Sequence, residues 1–562
     1  MKSSLCFLSL FSVFSLDAQL LPVDSVWVEQ TLASMSLDEK IGQLIMPPHL
    51  YLDESKELIE KYHVGGFWFA KSEAVRIARE LNALQQASKY PLLIAADFEK
   101  GAGTHVDGAT DLPINMALGA SRDPELAYRA AALTAKEARA IGVHVNFAPV
   151  MDVNNNPDNP VINIRSYGED PTLVAGLAEA AIRGYQQNGI LATGKHFPGH
   201  GNTSVDSHSR LGIIEGNSAE MDSLELLPYT EVLKKNPPAC IMSAHLWVKA
   251  LDNDTIPATF SRNALTLLLR GRLGFDGIIF PDAMVMGGLT SRYTSEEASL
   301  RTIQAGCDIL LWPPNPQTSF ETLKNAVQSG DVSVERINQS VRRILRAKTC
   351  VGLQKNRSVD VEKIPGLVGT EANYNEAKQI AAKCLTLVKD DGKLLPLNIG
   401  QHVLVVTMNN SGGNAMMSRT LVSFPSELSN ISPRITQFNL PETITDLDTQ
   451  RALDLARQSD VVVIAAYVRI FLGSGTVGLP ASQRAFIEQM ALANVKVVVV
   501  SFGNPYIGSS LPFVSTYVCA YDNAKALQQT AAEALFGRSG FGGKLPVTIS
   551  KTMKFGDGIE KK

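Results

Sequence analysis

The sequence lacks the features that mark disulfide-rich, membrane-spanning and nucleic-acid-binding proteins. Its six cysteines are spread over 562 residues, and no two have the spacing of a metal or redox pair, so we expect buried thiols. No apolar run reaches the ~18 residues of a spanning helix, which argues against stable insertion into a membrane. Lys and Arg (52) are fewer than Asp and Glu (56), and the net charge of −4 argues against a nucleic-acid partner. What remains is an ordinary globular composition, with 45% hydrophobic and 19% charged residues.

Residues 1–18 have the organisation of a secretory signal peptide. Lys2 precedes an apolar stretch, Leu5–Leu16, and the small residue Ala18 follows it. A buried first helix is the alternative, but a core helix normally shows a polar face and no amphipathic pattern runs through this stretch. The sequence therefore predicts cleavage after Ala18 and export to a periplasm or, alternatively, to the outer surface.

Residues 19–350 alternate apolar runs with helical stretches such as Pro124–Ala140 and Thr172–Asn188. Continuous apolar strands alternating with helices are typical of a parallel sheet covered on both faces. About eight such units predict a (β/α)8 TIM-like barrel that forms the catalytic domain. A capping-box spacing from Ser36 to Glu39 predicts a helix start. The apolar runs are Ile41–Met46, Val64–Phe69, Leu92–Ala96, Val143–Val150, Ile190–Ala192, Ala239–Ala244, Gly277–Phe280 and Asp308–Leu311.

After residue 350 the pattern changes. Periodicity fades over 351–375, which predicts a linker, and a C-terminal α/β domain covers 376–562. Its apolar runs predict a smaller, doubly wound α/β sandwich. The glycine-rich Gly473–Gly478 matches G-x-G-x-x-G, but no acidic residue ends the next strand, which favours a loop near the barrel mouth over a dinucleotide site. The expected strands are Val403–Thr407, Val461–Tyr467, Val497–Ser501 and Thr516–Ala520, and the expected helices are Ala452–Gln458, Gln483–Ala493 and Ala526–Leu535.

Polar residues follow several of the predicted barrel strands. The carboxyl ends of the strands in such a barrel meet at one mouth, where the chemistry of the fold takes place. A single polar residue there often does no more than end its strand in water, but five strand ends in register point to a site. The residues at these positions are Asp97 and Glu99, Asp152, Lys195 and His196, His245, and Asp282.

The segment Lys195–His208, with the sequence KHFPGHGNTSVDSH, holds three of the nine histidines. A metal site is one interpretation, but it needs His196 and His200 on one helical turn, and the Pro198-Gly199 pair between them disfavours a helix. A purely structural loop with capped turns is the second interpretation.

A catalytic loop is the third. In it Asp206 orients His208, so that the imidazole can give and then take a proton. Lys195 and His196 would donate hydrogen bonds to substrate hydroxyls from the end of their strand. Asp282 would supply a nucleophile at the same mouth.

The histidine-rich segment resembles the KHFPGHG…DSH signature of family 3 glycoside hydrolases of the β-N-acetylglucosaminidase type. The resemblance extends over nearly the whole chain. Further similar segments are the opening helix at Trp27–Leu44, the arginine loop Asn163–Gly168, the nucleophile strand Gly277–Met286, and Leu385–Leu397 and Gly543–Val547 in the second domain.

The resemblance implies a retaining exo-hydrolase that removes terminal β-N-acetylglucosamine from cell-wall fragments or related glycans. It implies no metal and no cofactor, and it makes no prediction of the oligomeric state. Asp282 matches the nucleophile that forms a covalent glycosyl-enzyme, and His208 matches the general acid/base, oriented by Asp206. The positions that match the binding site for the hydroxyls of the terminal sugar are Asp97, Arg165, Lys195 and His196.

Alternatives within the family are a β-glucosidase or a glycoside phosphorylase, and an alternative outside catalysis is an inert glycan-binding homologue. A neutral histidine as acid/base would not repel an anionic acceptor, so phosphate would compete with water at the covalent intermediate. The chain departs from the family pattern where Lys100-Gly101-Ala102 stands in place of an arginine-containing run, and where Pro281 precedes the nucleophile position.

Overall fold

The computed structural model describes residues 20–207, 210–409, 422–468 and 478–562. The predicted signal peptide, His208 and most of the Gly473–Gly478 segment lie outside the described residues. The described residues form a parallel barrel followed by a smaller sheet domain, in the order expected from the sequence.

The first unit is a barrel of parallel strands, each found within one of the eight predicted apolar runs or overlapping it. From β2 to β7 neighbouring strands pair in chain order, and β1 pairs with β8, so the sheet curls round on itself. The amide of Asp308 donates to the carbonyl of Ile279 at 2.8 Å and joins the β8 segment to β7, while Gly65 donates to Ile45 and joins the β2 segment to β1. The strands are β1 (Ile45–Met46), β2 (Gly66–Phe69), β3 (Leu93–Ala96), β4 (Val145–Asn146), β5 (Leu191–Phe197), β6 (Cys240–Ser243), β7 (Ile278–Pro281) and β8 (Leu310–Leu311).

Helices cover the outside of the barrel, and their ends follow local rules. Ser36 and Glu39 form the predicted capping box at the start of Leu37–Gln43. Asp123 accepts a hydrogen bond from Glu125 at the start of Pro124–Ala140, where a proline stands in the first turn. The other helices of this unit are Ser25–Ser34, Leu52–Tyr62, Ala74–Ala87, Asn115–Ser121, Pro171–Gln186, Ser218–Ser223, Leu227–Lys235, the π-helix Asn263–Arg272, Gly287–Thr290, Ser295–Ala305, Pro316–Ser329 and Val334–Cys350.

The second unit is a six-stranded sheet in the order β9-β14-β13-β12-β10-β11. Five strands run parallel, and β9 is an antiparallel edge. The four predicted strands are present, and β9 and β11 are additional to them. The strands are β9 (Thr386–Asp390), β10 (Val403–Asn409), β11 (Ile435–Asn439), β12 (Val461–Tyr467), β13 (Val497–Ser501) and β14 (Thr516–Cys519). The helices around them are Glu371–Ala381, Phe424–Ile431, Asp446–Arg457, Ala481–Leu492 and Lys525–Leu535.

The predicted linker, 351–375, contains a 3-10 turn, Val361–Gly366, and the start of the helix Glu371–Ala381. The boundaries at 350 and 375 stay predictions. The two units touch near the barrel mouth, where Lys100 makes an ion pair with Asp522 at 3.1 Å. The second unit is therefore in direct contact with the end of the barrel at which polar residues gather.

The described cysteines are free thiols, and all but Cys350 are fully buried, as the sequence predicts. Burial raises the pKa of each of these thiols, so none is poised as a reactive thiolate. In the part of the chain that the structure describes, no helix is both long enough and apolar enough to cross a bilayer.

Candidate active site

A cavity of about 560 Å³ opens at the carboxyl ends of the barrel strands. Strands β2 to β8 or the residues that directly follow them all contribute to its wall, as the fold predicts for a site. One part of the wall is charged and another part is apolar. The charged or polar lining residues include Asp97, Glu99, Lys100, Arg165, Lys195, His196 and Asp282, and the apolar ones include Trp68, Phe147, Met242, Met286 and Trp312.

Lys195 lies at the centre of the charged wall. Its side chain is 3% exposed, and its ammonium group lies 2.8 Å from a carboxylate oxygen of Asp97 and 2.8 Å from one of Glu99. Burial alone would lower the pKa of Lys195, but the two carboxylates raise it above its ordinary value. Lys195 therefore stays charged and can donate to a hydroxyl that enters the cavity.

Arg165 reaches the same wall from a short 3-10 turn, Asn163–Arg165. Its guanidinium group donates two hydrogen bonds to Glu99, at 2.7 and 3.0 Å, in a bidentate pair. Burial would raise the pKa of Glu99, but the cations of Arg165 and Lys195 hold it well below its usual range. Glu99 is thus a permanent anion, and it fixes Arg165 and Lys195, two cations that match the sugar-binding positions of the family.

His196 is held by Asp152, which is itself buried. The Nδ1 atom of His196 lies 2.7 Å from a carboxylate oxygen of Asp152, and since a carboxylate only accepts, Nδ1 donates. Asp152 also accepts from the backbone amides of His196 and His200. Burial would raise the pKa of Asp152, but His196 and these hydrogen bonds lower it. The orientation of His196 is therefore fixed, with Nε2 close to Arg165 at 3.4 Å.

Asp282 comes directly after β7 and lines the cavity. Its backbone amide donates to the carbonyl of Ser243 on β6 at 2.9 Å, which holds the residue at the strand end. Its carboxylate accepts from the amide of Ala283 at 2.8 Å. His245, which also ends a strand, is fully buried beneath this turn and donates to the carbonyl of Ala283.

Asp206 is buried in the loop that follows β5, and His208 lies outside the described residues. Ser207, between them, accepts a hydrogen bond at its carbonyl from the amide of Gly288, at 3.1 Å. Gly288 is next to Gly287, which lines the cavity. The loop that carries Asp206 is therefore anchored beside the rim of the cavity, close to the segment that follows Asp282.

Two tryptophans, Trp68 and Trp312, form part of the apolar wall. Trp68 and Trp312 stack with their ring centroids 4.6 Å apart. The indole nitrogen of Trp68 donates to Asp97 at 2.8 Å. Trp312 has a φ of 43°, in a region that bulky residues rarely adopt. The pair thus joins the apolar wall to the charged one.

The structure brings Asp97, Arg165, Lys195, His196 and Asp282 together around one cavity, and it sets Asp206 beside the rim. From the sequence, Glu99 and Asp152 are recognisable only as residues that follow predicted strands. Their roles depend on which cation or imidazole each one meets, and a single sequence carries no signal for such pairings. In the described ranges, no three His, Cys, Asp or Glu side chains lie together in a way that would hold a metal ion.

Comparison with known proteins gives a consistent assignment along the chain. The Glycosyl hydrolase family 3 N terminal domain matches residues 36–347, and the Glycosyl hydrolase family 3 C-terminal domain matches residues 385–559. A relative from Cellulomonas fimi, named Beta-N-acetylglucosaminidase/beta-glucosidase, is 30% identical over 538 residues, which cover 93% of this chain and 95% of the relative. Beta-hexosaminidase A from Pseudoalteromonas piscicida is 31% identical over 460 residues, or 76% of this chain and 74% of the relative.

Solved structures agree with these relatives. A glycoside hydrolase family 3 β-N-acetylglucosaminidase from Paenibacillus sp. str. FPU-7 superposes with a TM-score of 0.83 at 33% identity, over 92% of this chain and 99% of that one. A β-glucoside phosphorylase, BglX, bound to 2FGlc, superposes with a TM-score of 0.84 at 29% identity, over 93% and 96% of the two chains.

Proposed function

The chain belongs to glycoside hydrolase family 3, and we propose that it is a retaining exo-β-N-acetylglucosaminidase. The observation that carries the proposal is the placement of Asp282 in one cavity with Asp97, Arg165 and Lys195. A carboxylate that can attack an anomeric carbon thus faces the same space as groups that can hold sugar hydroxyls. The names of two relatives that match most of the chain favour N-acetylglucosamine as the sugar.

Retention requires two displacements at the anomeric carbon. In the first, a carboxylate oxygen of Asp282 bonds to that carbon while the glycosidic oxygen leaves and takes up a proton. In the second, water gives up a proton and its oxygen replaces the carboxylate, which releases the sugar with its original configuration. Asp282 suits the nucleophile because its backbone is held by β6 and its carboxylate accepts from the amide of Ala283.

The proton donor in this proposal is His208, oriented by Asp206. The position of Asp206 supports it, because the loop is tied to Gly288 at the edge of the cavity. A histidine with a carboxylate at one ring nitrogen can donate a proton in the first step and accept one in the second. Hydrolysis of poor leaving groups therefore depends on this loop more than hydrolysis of activated ones.

The binding site for the terminal sugar consists of Asp97, Arg165, Lys195 and His196. These groups are fixed before substrate arrives, because Glu99 holds the two cations and Asp152 holds His196. Fixed charges and donors cost no reorganisation when the sugar moves toward the transition state.

Cell-wall fragments are the proposed natural substrates, and the proposal includes export to the periplasm, which rests on residues 2–18. The test for export is fractionation of the native host followed by N-terminal sequencing of the mature protein. A mature chain that begins after Ala18 in the periplasmic fraction supports export, and an intact Met1 in the cytoplasm contradicts it.

A phosphorylase is the second candidate, and the phosphorylase structure among the similar proteins favours it. If the acid/base is a histidine, an anionic acceptor meets less repulsion than it would from a carboxylate. Turnover of an aryl β-N-acetylglucosaminide in the presence and absence of phosphate separates the two. Sugar 1-phosphate as the main product identifies a phosphorylase, and free sugar at unchanged rate identifies a hydrolase.

The proposed function is tested with aryl β-N-acetylglucosaminide against aryl β-glucoside, and with Asp282→Asn. We expect preference for the first substrate, release of the β-anomer, and loss of turnover in the variant with an unchanged melting temperature. Asp276→Asn is the matched control, because Asp276 lies at the other end of β7 and pairs with Arg343 and Arg346. Turnover by Asp282→Asn at the wild-type rate overturns the assignment, and failure of the wild type on both substrates favours an inert glycan-binding protein.

A further inference from the structure

His200 does not line the cavity, yet its ring is directed at the loop that carries Asp206. The loop begins where β5 ends, and hydrogen bonds hold its backbone at His200 and at Gly201. The backbone amide of His200 donates to Asp152 at 2.7 Å. The side-chain amide of Asn159 donates to the carbonyls of His200 and Gly201, at 2.8 and 2.9 Å. The imidazole therefore projects from a backbone that cannot shift without breaking several buried hydrogen bonds.

The ring meets Ser207. The Nε2 atom of His200 lies 2.9 Å from the hydroxyl of Ser207, and both side chains are 1% exposed. The carbonyl of the same serine accepts from the amide of Gly288. Ser207 is thus held at its side chain by the segment that follows β5 and at its backbone by the segment that follows β7. The second of these segments lines the cavity from Asp282 to Gly287.

The chemistry of His200 suits a fixed support rather than a proton carrier. Burial lowers its pKa to about 4, with a further lowering by His196, so the ring is neutral at ordinary pH. Its Nδ1 atom is buried and has no hydrogen-bond partner, which leaves the bond to Ser207 as the ring's polar contact among the described residues. A neutral ring adds no charge beside the His196–Asp152 pair.

We propose that His200 is a positioning residue, which fixes Ser207 and thereby holds the backbone that links Asp206 to the proposed acid/base. This inference rests on the proposed function. It assigns to the second histidine of the KHFPGHG segment a task distinct from sugar binding and from metal binding. It also explains why a buried hydroxyl stands between the two members of the proposed acid/base pair.

The test uses Ser207→Ala, which deletes one hydroxyl and leaves the backbone bond to Gly288 in place. Rates are measured on chitobiose, which needs a protonated leaving group, and on 2,4-dinitrophenyl β-N-acetylglucosaminide, which does not. We expect kcat/KM on chitobiose to fall by about tenfold to hundredfold, and kcat/KM on the dinitrophenyl substrate by less than about threefold. Ser204→Ala is the matched control, since it deletes an exposed hydroxyl from the same loop, and we expect it to leave the ratio of the two rates unchanged.

A second variant tests the hydrogen bond between His200 and Ser207 independently. His200→Leu removes the same hydrogen bond from the other side, and it is combined with Ser207→Ala in a double-mutant cycle. If both changes act on one bond, the rate ratio of the double variant equals that of the worse single variant, rather than the product of the two. Melting temperatures of all variants identify losses that arise from unfolding alone.

Three outcomes overturn the inference while the proposed function stands. The first is that Ser207→Ala cleaves chitobiose at the wild-type rate. The second is an equal loss on both substrates, which marks a general structural role. The third is multiplicative losses in the cycle. A wild-type enzyme that cleaves neither substrate contradicts the proposed function itself, so the two failures are distinguishable.

Discussion

Replacing Glu99 with glutamine takes one negative charge out of the wall of the cavity and leaves its two cations in place. Arg165 loses a bidentate partner at 2.7 and 3.0 Å, and Lys195 loses one of its two carboxylates. Glutamine has nearly the same shape, so the change tests charge rather than volume. Its amide nitrogen would also face donors that need an acceptor.

The expected loss of stability follows from the burial of Glu99. The side chain of Glu99 is 15% exposed, and removing one partner of a buried ion pair costs about 3 kcal/mol or more. For a large domain each kcal/mol lowers the melting temperature by about 2 °C, so we expect a fall of about 6 °C. Activity falls further, because misplacement of Arg165 and Lys195 by about 1 Å can cost about a hundredfold in rate.

Differential scanning calorimetry and kinetics on one aryl substrate measure both effects. Because the folded-state pKa of Glu99 lies far below the ordinary 4.5, its contribution to stability is fully present above pH 4.5 and decreases as the pH falls below that value. The gap in melting temperature between wild type and Glu99→Gln should therefore be constant from pH 6 to 8 and should shrink in acid.

Glu57→Gln is the matched control, because Glu57 pairs with Lys61 at 2.6 Å but both side chains are 58% exposed. An exposed ion pair of this kind contributes less than about 1 kcal/mol to stability, even when its charged atoms are close together. If Glu99→Gln behaves like Glu57→Gln in both melting temperature and rate, the argument that Glu99 fixes the site is wrong.

Three further perturbations have defined outcomes. Asp152→Asn removes the charged acceptor of His196, and we expect kcat/KM to fall about tenfold or more in steady-state assays. Trp312→Ala deletes half of the stacked pair with Trp68, and we expect KM to rise about tenfold with little change in kcat. Burial lowers the pKa of Lys348 to about 7, so folding below that pH buries a charge. We therefore expect Lys348→Met to raise the free energy of unfolding in denaturant titrations, most at pH 6 and least at pH 10.

The barrel was predictable because its strands are buried on every side. A strand such as β3 is fully buried, so its sequence is a continuous apolar run that stands out from the helices around it. The second domain shows the limit of the same signal. Edge strand β11 is exposed or half-buried along its length, and three of its five residues are polar. Edge strand β9 pairs with β14, which is distant in the sequence. Neither one carries a long apolar run.

The site was predictable at the level of which strand ends meet. Asp97 and Asp282 each follow a buried strand, and Lys195 lies near the carboxyl end of β5. The fold itself brings such residues to one mouth. The partners inside the site were not predictable in this way. Glu99 and Asp152 act through contacts with residues 66 and 44 positions away, which depend on side-chain geometry across the barrel.

Trp68 shows a different limit of sequence reasoning. A tryptophan inside an apolar run is most often a core residue, and Trp68 is indeed 9% exposed. The same ring also lines the cavity and donates to Asp97. Burial and function coincide here, because the wall of the site is also the edge of the core.

The measurement that tests the central claim most directly is covalent labelling of Asp282. The reagent is a β-N-acetylglucosaminyl fluoride with a second fluorine at ring carbon 5, since carbon 2 carries the acetamido group. The ring fluorine slows both displacements, and the fluoride leaving group lets the glycosyl-enzyme form faster than it breaks down. We predict that mass spectrometry of a tryptic digest finds the sugar on the peptide Leu273–Arg292, and that fragmentation locates it on Asp282. Label on any other residue, or time-dependent inactivation of Asp282→Asn at the wild-type rate, would contradict the account.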